Sequence, residues 1–183
     1  MKKILLLGCG HSREKRMWIG DQTSWDGELV TLDHNPDCKP EVIHDLKMLP
    51  YPFPDNEFDE IHIYGVLEHL SDQGDHVGFF AQFEEFYRIL KPSGHFLAVV
   101  PSEKSVQQWG DPSHCRVINM ITLGFLSQEN YKQCGKTMMT DFRNIYKADF
   151  VVSWHHDDGE LLNFVLSPIK EVPGWTSENT STK

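Results

Sequence analysis

Residues 45–70 read DLKMLPYPFPDNEFDEIHIYGVLEHL. The run opens on an acid and a leucine, Asp45-Leu46, and passes a Leu49-Pro50-Tyr51 step and a Pro54-Asp55 turn. It then becomes FDEIHIY, Phe58 to Tyr64, whose alternating apolar residues predict a strand ending at Tyr64-Gly65. Its neighbours repeat the theme. Lys3 to Leu7 is a continuous apolar run, as in a strand buried on both faces. Glu28 to Asp33 (ELVTLD) predicts a second strand ending in an acid, and Glu41 to His44 a short third. Downstream, Phe79, Phe80, Phe83, Phe86, Tyr87 and Leu90 fall at helical spacing, with Gln82, Glu84, Glu85 and Arg88 opposite. Lys91-Pro92-Ser93-Gly94 is expected to stop that helix before a fifth strand, His95 to Val100.

Strands separated by helices or loops imply an α/β fold with a doubly wound, Rossmann-like parallel sheet and helices on both faces. Ligands of such sheets bind at the carboxyl ends of the strands. Farther on, Val117 to Ser127 could form an amphipathic helix, and Ile145 to Trp154 and Glu160 to Leu166 are strand-like. The link His155-His156-Asp157-Asp158-Gly159 has turn chemistry, so the chain is expected to close with an antiparallel hairpin. That ending is unusual for a dinucleotide-binding domain.

A chain of 183 residues suits one domain, expected over 1–170, followed by a polar, flexible tail at 171–183. The net charge of −10 argues against sequence-independent nucleic-acid binding, and the basic patch Arg13-Glu14-Lys15-Arg16 reads as a solvated loop. Cys9, Cys38, Cys115 and Cys134 fit no zinc spacing, so no metal site is expected and the thiols read as reduced, in a cytoplasmic protein. The opening MKKILLLGC imitates a lipoprotein signal, but its apolar core, Ile4 to Leu7, is shorter than the roughly 7 to 15 residues a signal needs. No later run is long enough for a membrane span.

The first strand runs into Gly8-Cys9-Gly10. Arg13 stands where the dinucleotide fingerprint G-x-G-x-x-G has its third glycine, and the G-x-x-x-x-G-K-[ST] phosphate loop is absent. Two glycines still let a ligand approach bare backbone. Asp33, ending the second strand, can accept both ribose hydroxyls and would repel a 2′-phosphate. Loop and acid together suggest an adenosine-containing ligand without a diphosphate.

From Asp45 to Leu70 the sequence closely resembles the centre of the class I S-adenosylmethionine-dependent methyltransferases, in the branch acting mostly on small molecules. Asp45-Leu46, Leu49-Pro50-Tyr51, Pro54-Asp55, Phe58-Asp59 and Leu67-Glu68-His69-Leu70 carry the likeness, and Arg88 to Pro101 (RILKPSGHFLAVVP) extends it. The resemblance covers about residues 3–101. It implies that Asp45 takes the adenine amino group and that the Leu46 N–H meets a ring nitrogen. It also implies that the strand end at Tyr64-Gly65 lies under the methionine portion, and that Gly8, Cys9 and Gly10 face its carboxylate and ammonium. His34 lies beside Asp33, and His11 or Ser12 could supply a further hydrogen bond. Two positions depart from the family: Leu6 replaces its usual acid, and Ser12 its third loop glycine.

Methyl transfer to a hydroxyl needs a base. Glu68 and His69 follow the fourth strand, beside the expected methyl. His114 lies in Asp111-Pro112-Ser113-His114-Cys115-Arg116, which resembles an Asp-Pro-x-His-x-Arg stretch on the substrate side of some family members. His62, inside a strand, reads as structural, and His155 and His156 as exposed. The fourth strand ends Tyr64-Gly65-Val66-Leu67, not in the Asn/Asp-Pro-Pro-aromatic motif of enzymes that methylate the amines of nucleic-acid bases. The expectation is methyl transfer from S-adenosylmethionine to a small-molecule acceptor, a sugar or metabolite, at oxygen. A fold of this class that binds a ligand without turning it over is the second reading.

Overall fold

A computed structural model describes residues 1–170; the expected tail at 171–183 lies outside them. The strands are β1 (Lys3–Leu7), β2 (Glu28–Asp33), β3 (Val42–Ile43), β4 (Phe58–Tyr64), β5 (Leu90–Pro101), β6 (Phe150–Asp157) and β7 (Leu161–Pro168). They form one sheet in the order β3-β2-β1-β4-β5-β7-β6. The first five are parallel, and β7 runs antiparallel to both β5 and β6. Chain order reverses at β1 and β4, so the switch point of the sheet lies above Gly8 and Gly65.

Helix α1 (His76–Ile89) packs its aromatic stripe on one face of the sheet. Phe83 meets Phe86, Phe96 and Phe150, and Phe80 meets Tyr146. The inward residues of β1, β4, β5 and β7 complete this core. The helix starts three residues earlier than its apolar period shows, because Asp75 caps it by accepting from the Gly78 N–H at 2.9 Å. The short helices α2 (Val106–Gly110) and α3 (Met120–Gly124) follow β5. The amphipathic stretch at 117–127 is therefore helical only in its centre, from an Asn119 cap.

Several expectations are corrected. Lys91 to Gly94 belongs to β5: Leu90 pairs with Phe58, and a register shift carries the ladder on to His95 opposite Glu60. β6 begins at Phe150, not Ile145. Residues before it are drawn to the α3 side, where the Gln128 amide donates to the carbonyls of Tyr146 and Ala148. His155 and His156 are strand residues opposite Phe164 and Asn163, and the turn is narrower, held by Asp158 accepting from the N–H groups of Glu160 and Leu161.

The expectation of helices on both faces is corrected as well: the other face carries a much smaller apolar cluster, Met17, Leu97, Val99 and Val165, to which no helix among the described residues contributes. Between β1 and β2 the described chain is loop throughout. A polar network anchors it. Lys15, expected in solvent, is buried; its ammonium lies 3.8 Å from both Glu60 and Asp26 and donates to two loop carbonyls. Lys2 reaches Glu60 at 2.6 Å. His62, fully buried as a structural histidine should be, faces Glu60 through Nε2 at 2.9 Å and the Tyr64 hydroxyl through Nδ1. Burial opposes ionisation of Glu60, but His62, Lys2 and Lys15 outweigh it and hold the carboxyl at about 2.

Glu60 titrates near 4.5 unfolded and about 2 folded, so its contribution is present above pH 4.5 and is lost as pH falls toward 2. Lys2 is partly exposed, which screens the pair. Glu60→Gln is expected to cost about 2 kcal/mol at pH 7 and to flatten the acid limb of stability. Urea unfolding from pH 7 to 3 measures both, and parallel curves for the two proteins would refute this role.

Candidate active site at the carboxyl ends of the parallel strands

The β1 loop is built on two left-handed glycines, Gly8 at φ +59° and Gly10 at φ +50°. Gly8 is doubly constrained, since a Cβ there would stand 2.4 Å from Val66 Cγ2. Asp33 fixes the loop: one carboxylate oxygen accepts from the Gly10 N–H at 2.8 Å and the other from the Asn35 N–H at 2.9 Å. Arg13, the residue in place of a third glycine, donates to the carbonyls of Gly10, Cys38 and Lys39. Nothing local to the sequence points to this staple beyond a charge standing at the third-glycine position of the dinucleotide fingerprint. Cys9 is buried, and burial pushes its thiol pKa up, so it serves as packing.

Three cavities open at the carboxyl ends of β1 and β4. The first, about 450 Å³, is bordered by Gly8, Asp33, His34, Asp45, Leu46 and Gly65. Asp45 is exposed at its mouth and also accepts from the Lys47 N–H, whereas Leu46 is buried. The second, about 270 Å³, lies under Gly8, Cys9, Gly10, His11, Ser12 and Tyr64. The third, about 760 Å³, is lined by Gly65, Glu68, His69, Asp111 and His114, among others. Gly8 borders the first two, and Gly65 and His69 border the first and third. Gly65 has φ +67°, which turns the chain out of β4 and leaves bare backbone where the cavities join. Every cofactor-side residue expected from the sequence thus lines one of two connected cavities. Arg16, read from the sequence only as part of a solvated loop, borders the second and third and lies over the Tyr64 ring.

Glu68, His69 and His114 converge. The Glu68 carbonyl accepts from the N–H groups of Cys115 and Arg116, which seats the 111–116 segment against the end of β4. The rings of His69 and His114 stand 4.8 Å apart. Glu68 is 2 % exposed, its Oε2 has no hydrogen-bond partner among the described residues, and burial pushes its pKa up.

A parallel sheet of this order, a β7 that turns antiparallel, and a glycine loop facing an acid on β2 together define the class I methyltransferase fold. Residues 5–98 match the family described as "Methyltransferase domain". The chain belongs to that family and is an S-adenosylmethionine-dependent methyltransferase. Solved structures share the fold. A SAM-dependent methyltransferase from Archaeoglobus fulgidus aligns at TM-score 0.54 and 15% identity, over 90% of this chain and 85% of that one. One from Aquifex aeolicus aligns at TM-score 0.51 and 14% identity, over 90% and 81%. A chain from the complex of the Haloferax volcanii Trm112 methyltransferase activator aligns at 0.54 and 15%, over 91% and 82%. No curated protein sequence matches the chain. Among the described residues, no helix is long and apolar enough to cross a membrane.

Proposed function

We propose that the enzyme methylates a small-molecule hydroxyl, on a sugar or metabolite, with the cofactor across the first two cavities and the acceptor in the third. The observation that carries this reading is the shared wall: Gly65 and His69 border both the Asp33 cavity and the acceptor cavity. In this arrangement Asp33 receives the ribose hydroxyls, Asp45 and the Leu46 N–H the adenine edge, and Gly8, Gly10 and His11 the amino-acid end. Gly65 offers backbone at the point where the methyl crosses.

S-adenosylmethionine supplies a methyl on an activated sulfonium. The residues of the third cavity align an acceptor oxygen with it, and the Glu68, His69 and His114 cluster receives the hydroxyl proton as the oxygen–carbon bond forms and the carbon–sulfur bond breaks. Oxygen is favoured because a buried carboxylate and two imidazoles suit removal of a hydroxyl proton. The absence of the Asn/Asp-Pro-Pro-aromatic motif and the charge of −10 speak against nucleic-acid acceptors. Four unbridged cysteines suit a cytoplasmic setting.

Calorimetric titration with S-adenosylmethionine and S-adenosylhomocysteine tests the cofactor placement, with micromolar binding expected for both. Failure of both to bind at millimolar concentration would end this reading. Transfer of a labelled methyl to a panel of hydroxylated and amine metabolites then tests the acceptor, and label found only on nitrogen would overturn the oxygen assignment.

A further inference from the structure

We propose that Glu68, His69 and His114 form a binding site for one divalent first-row transition-metal ion on the wall of the acceptor cavity. Their donor atoms all lie within 4.8 Å of one another. Both imidazoles are already set for coordination. The Nδ1 of His69 lies 3.1 Å from the Ser113 carbonyl, and that of His114 lies 3.2 Å from the Gln108 carbonyl. A carbonyl can only accept, so each Nδ1 carries the hydrogen, and Nε2 is the nitrogen whose lone pair is offered to a metal by the neutral ring. That is the arrangement of a metal-ligating histidine oriented by an outer hydrogen bond.

The carboxylate supplies an independent sign. Glu68 is 2 % exposed and its Oε2 has no partner among the described residues. A buried carboxylate oxygen without a donor is costly, and a cation between it and the two imidazoles supplies what is missing. Backbone hydrogen bonds from Cys115 and Arg116 to the Glu68 carbonyl hold the two segments together independently of the three side chains. Asp111 adds a second carboxylate at the rim, with Oδ2 3.8 Å from His114 Nε2.

Two imidazoles and a carboxylate favour manganese, iron, cobalt, nickel or zinc over magnesium or calcium. Three protein ligands leave coordination positions open toward a cavity of about 760 Å³. On the methyl-transfer reading, those positions take an acceptor with two adjacent oxygens, such as a vicinal diol or α-hydroxy carbonyl. The cation would lower the pKa of the bound hydroxyl. Its proton would leave to solvent, the oxygen would attack the methyl carbon, and sulfur would keep the electron pair. The cluster then holds the cation instead of taking the proton itself.

The test uses the full chain freed of metal by a chelator and titrated with Co²⁺, followed by visible absorption and by competition with Zn²⁺. One equivalent is expected to bind at micromolar or tighter affinity. His69→Ala and His114→Ala should each weaken it by about 100-fold or more, and so should the isosteric Glu68→Gln, with folding checked by circular dichroism. Wild-type binding no tighter than millimolar, or equal affinity in all three variants, overturns the site. S-adenosylmethionine is titrated into the same metal-free protein. Cofactor binding without metal binding removes the metal site alone, and metal binding without cofactor binding removes the methyl-transfer reading alone.

Discussion

Asp33→Ala is expected to weaken S-adenosylmethionine and S-adenosylhomocysteine binding about 100-fold, or about 2.7 kcal/mol. The residue does two things at once. Its Oδ2 pins the Gly10 N–H and its Oδ1 the Asn35 N–H, so the alanine releases the loop that floors the second cavity. It also deletes the carboxylate that borders the first cavity, whose remaining lone pairs are the acceptors proposed for the ribose hydroxyls. Asp33→Asn separates the effects: the amide keeps one acceptor oxygen but loses the charge, and an intermediate loss of about 10-fold is expected. Calorimetry on both variants, with circular dichroism to confirm folding, measures the difference. Unchanged affinity in the alanine variant would place the cofactor elsewhere.

The same residue shows why part of the site was legible in the sequence. Asp33 ends a strand whose bounds, like those of β1 and β4, coincide with the apolar runs that predicted them. Parallel strands buried on both faces leave a continuous signal. Gly8 and Gly10 follow β1 directly, and Glu68 and His69 follow β4, so the topology alone delivers them to the switch point. His114 is different. It reaches His69 through Cys115 and Arg116 bonding back to Glu68, a long-range register that no local spacing encodes.

Where the sequence misled, a distant partner was responsible. Lys15 looked solvated because its acids, Asp26 and Glu60, come from the end of its loop and from β4. Residues 145–149 looked like strand because Tyr146 and Ala148 are apolar, yet both are buried and bonded, through Gln128, to the segment that follows α3. Hydropathy reports burial, not the element against which a residue is buried. The loop from Gly8 to Gly27 lacks an apolar period, consistent with a segment held by ion pairs instead of a helix stripe.

Arg116→Ala is expected to destabilise the protein by about 4 kcal/mol, lowering the unfolding temperature by about 12 °C for a domain of this size. Arg116 is 6 % exposed. Its Nε donates to the Ser71 carbonyl at 3.0 Å, its Nη2 to those of Asp72 at 2.6 Å and Asp75 at 2.7 Å, and its plane lies over Phe79, 4.8 Å from the ring centre. One guanidinium thus joins the turn that launches α1 to the segment carrying His114. Truncation leaves three carbonyls without this donor and a void over Phe79. Lysine restores the charge but not the planar fork, so Arg116→Lys should recover less than half of the loss. Scanning calorimetry of the three proteins decides it. A shift below about 3 °C in the alanine variant, or full recovery with lysine, would show that the 71–75 turn is held by other contacts. The alanine variant keeps the backbone N–H that bonds the Glu68 carbonyl but loses the guanidinium that ties the His114 segment to the 71–75 turn, so it should lose activity at temperatures where it remains folded, through displacement of His114 from His69.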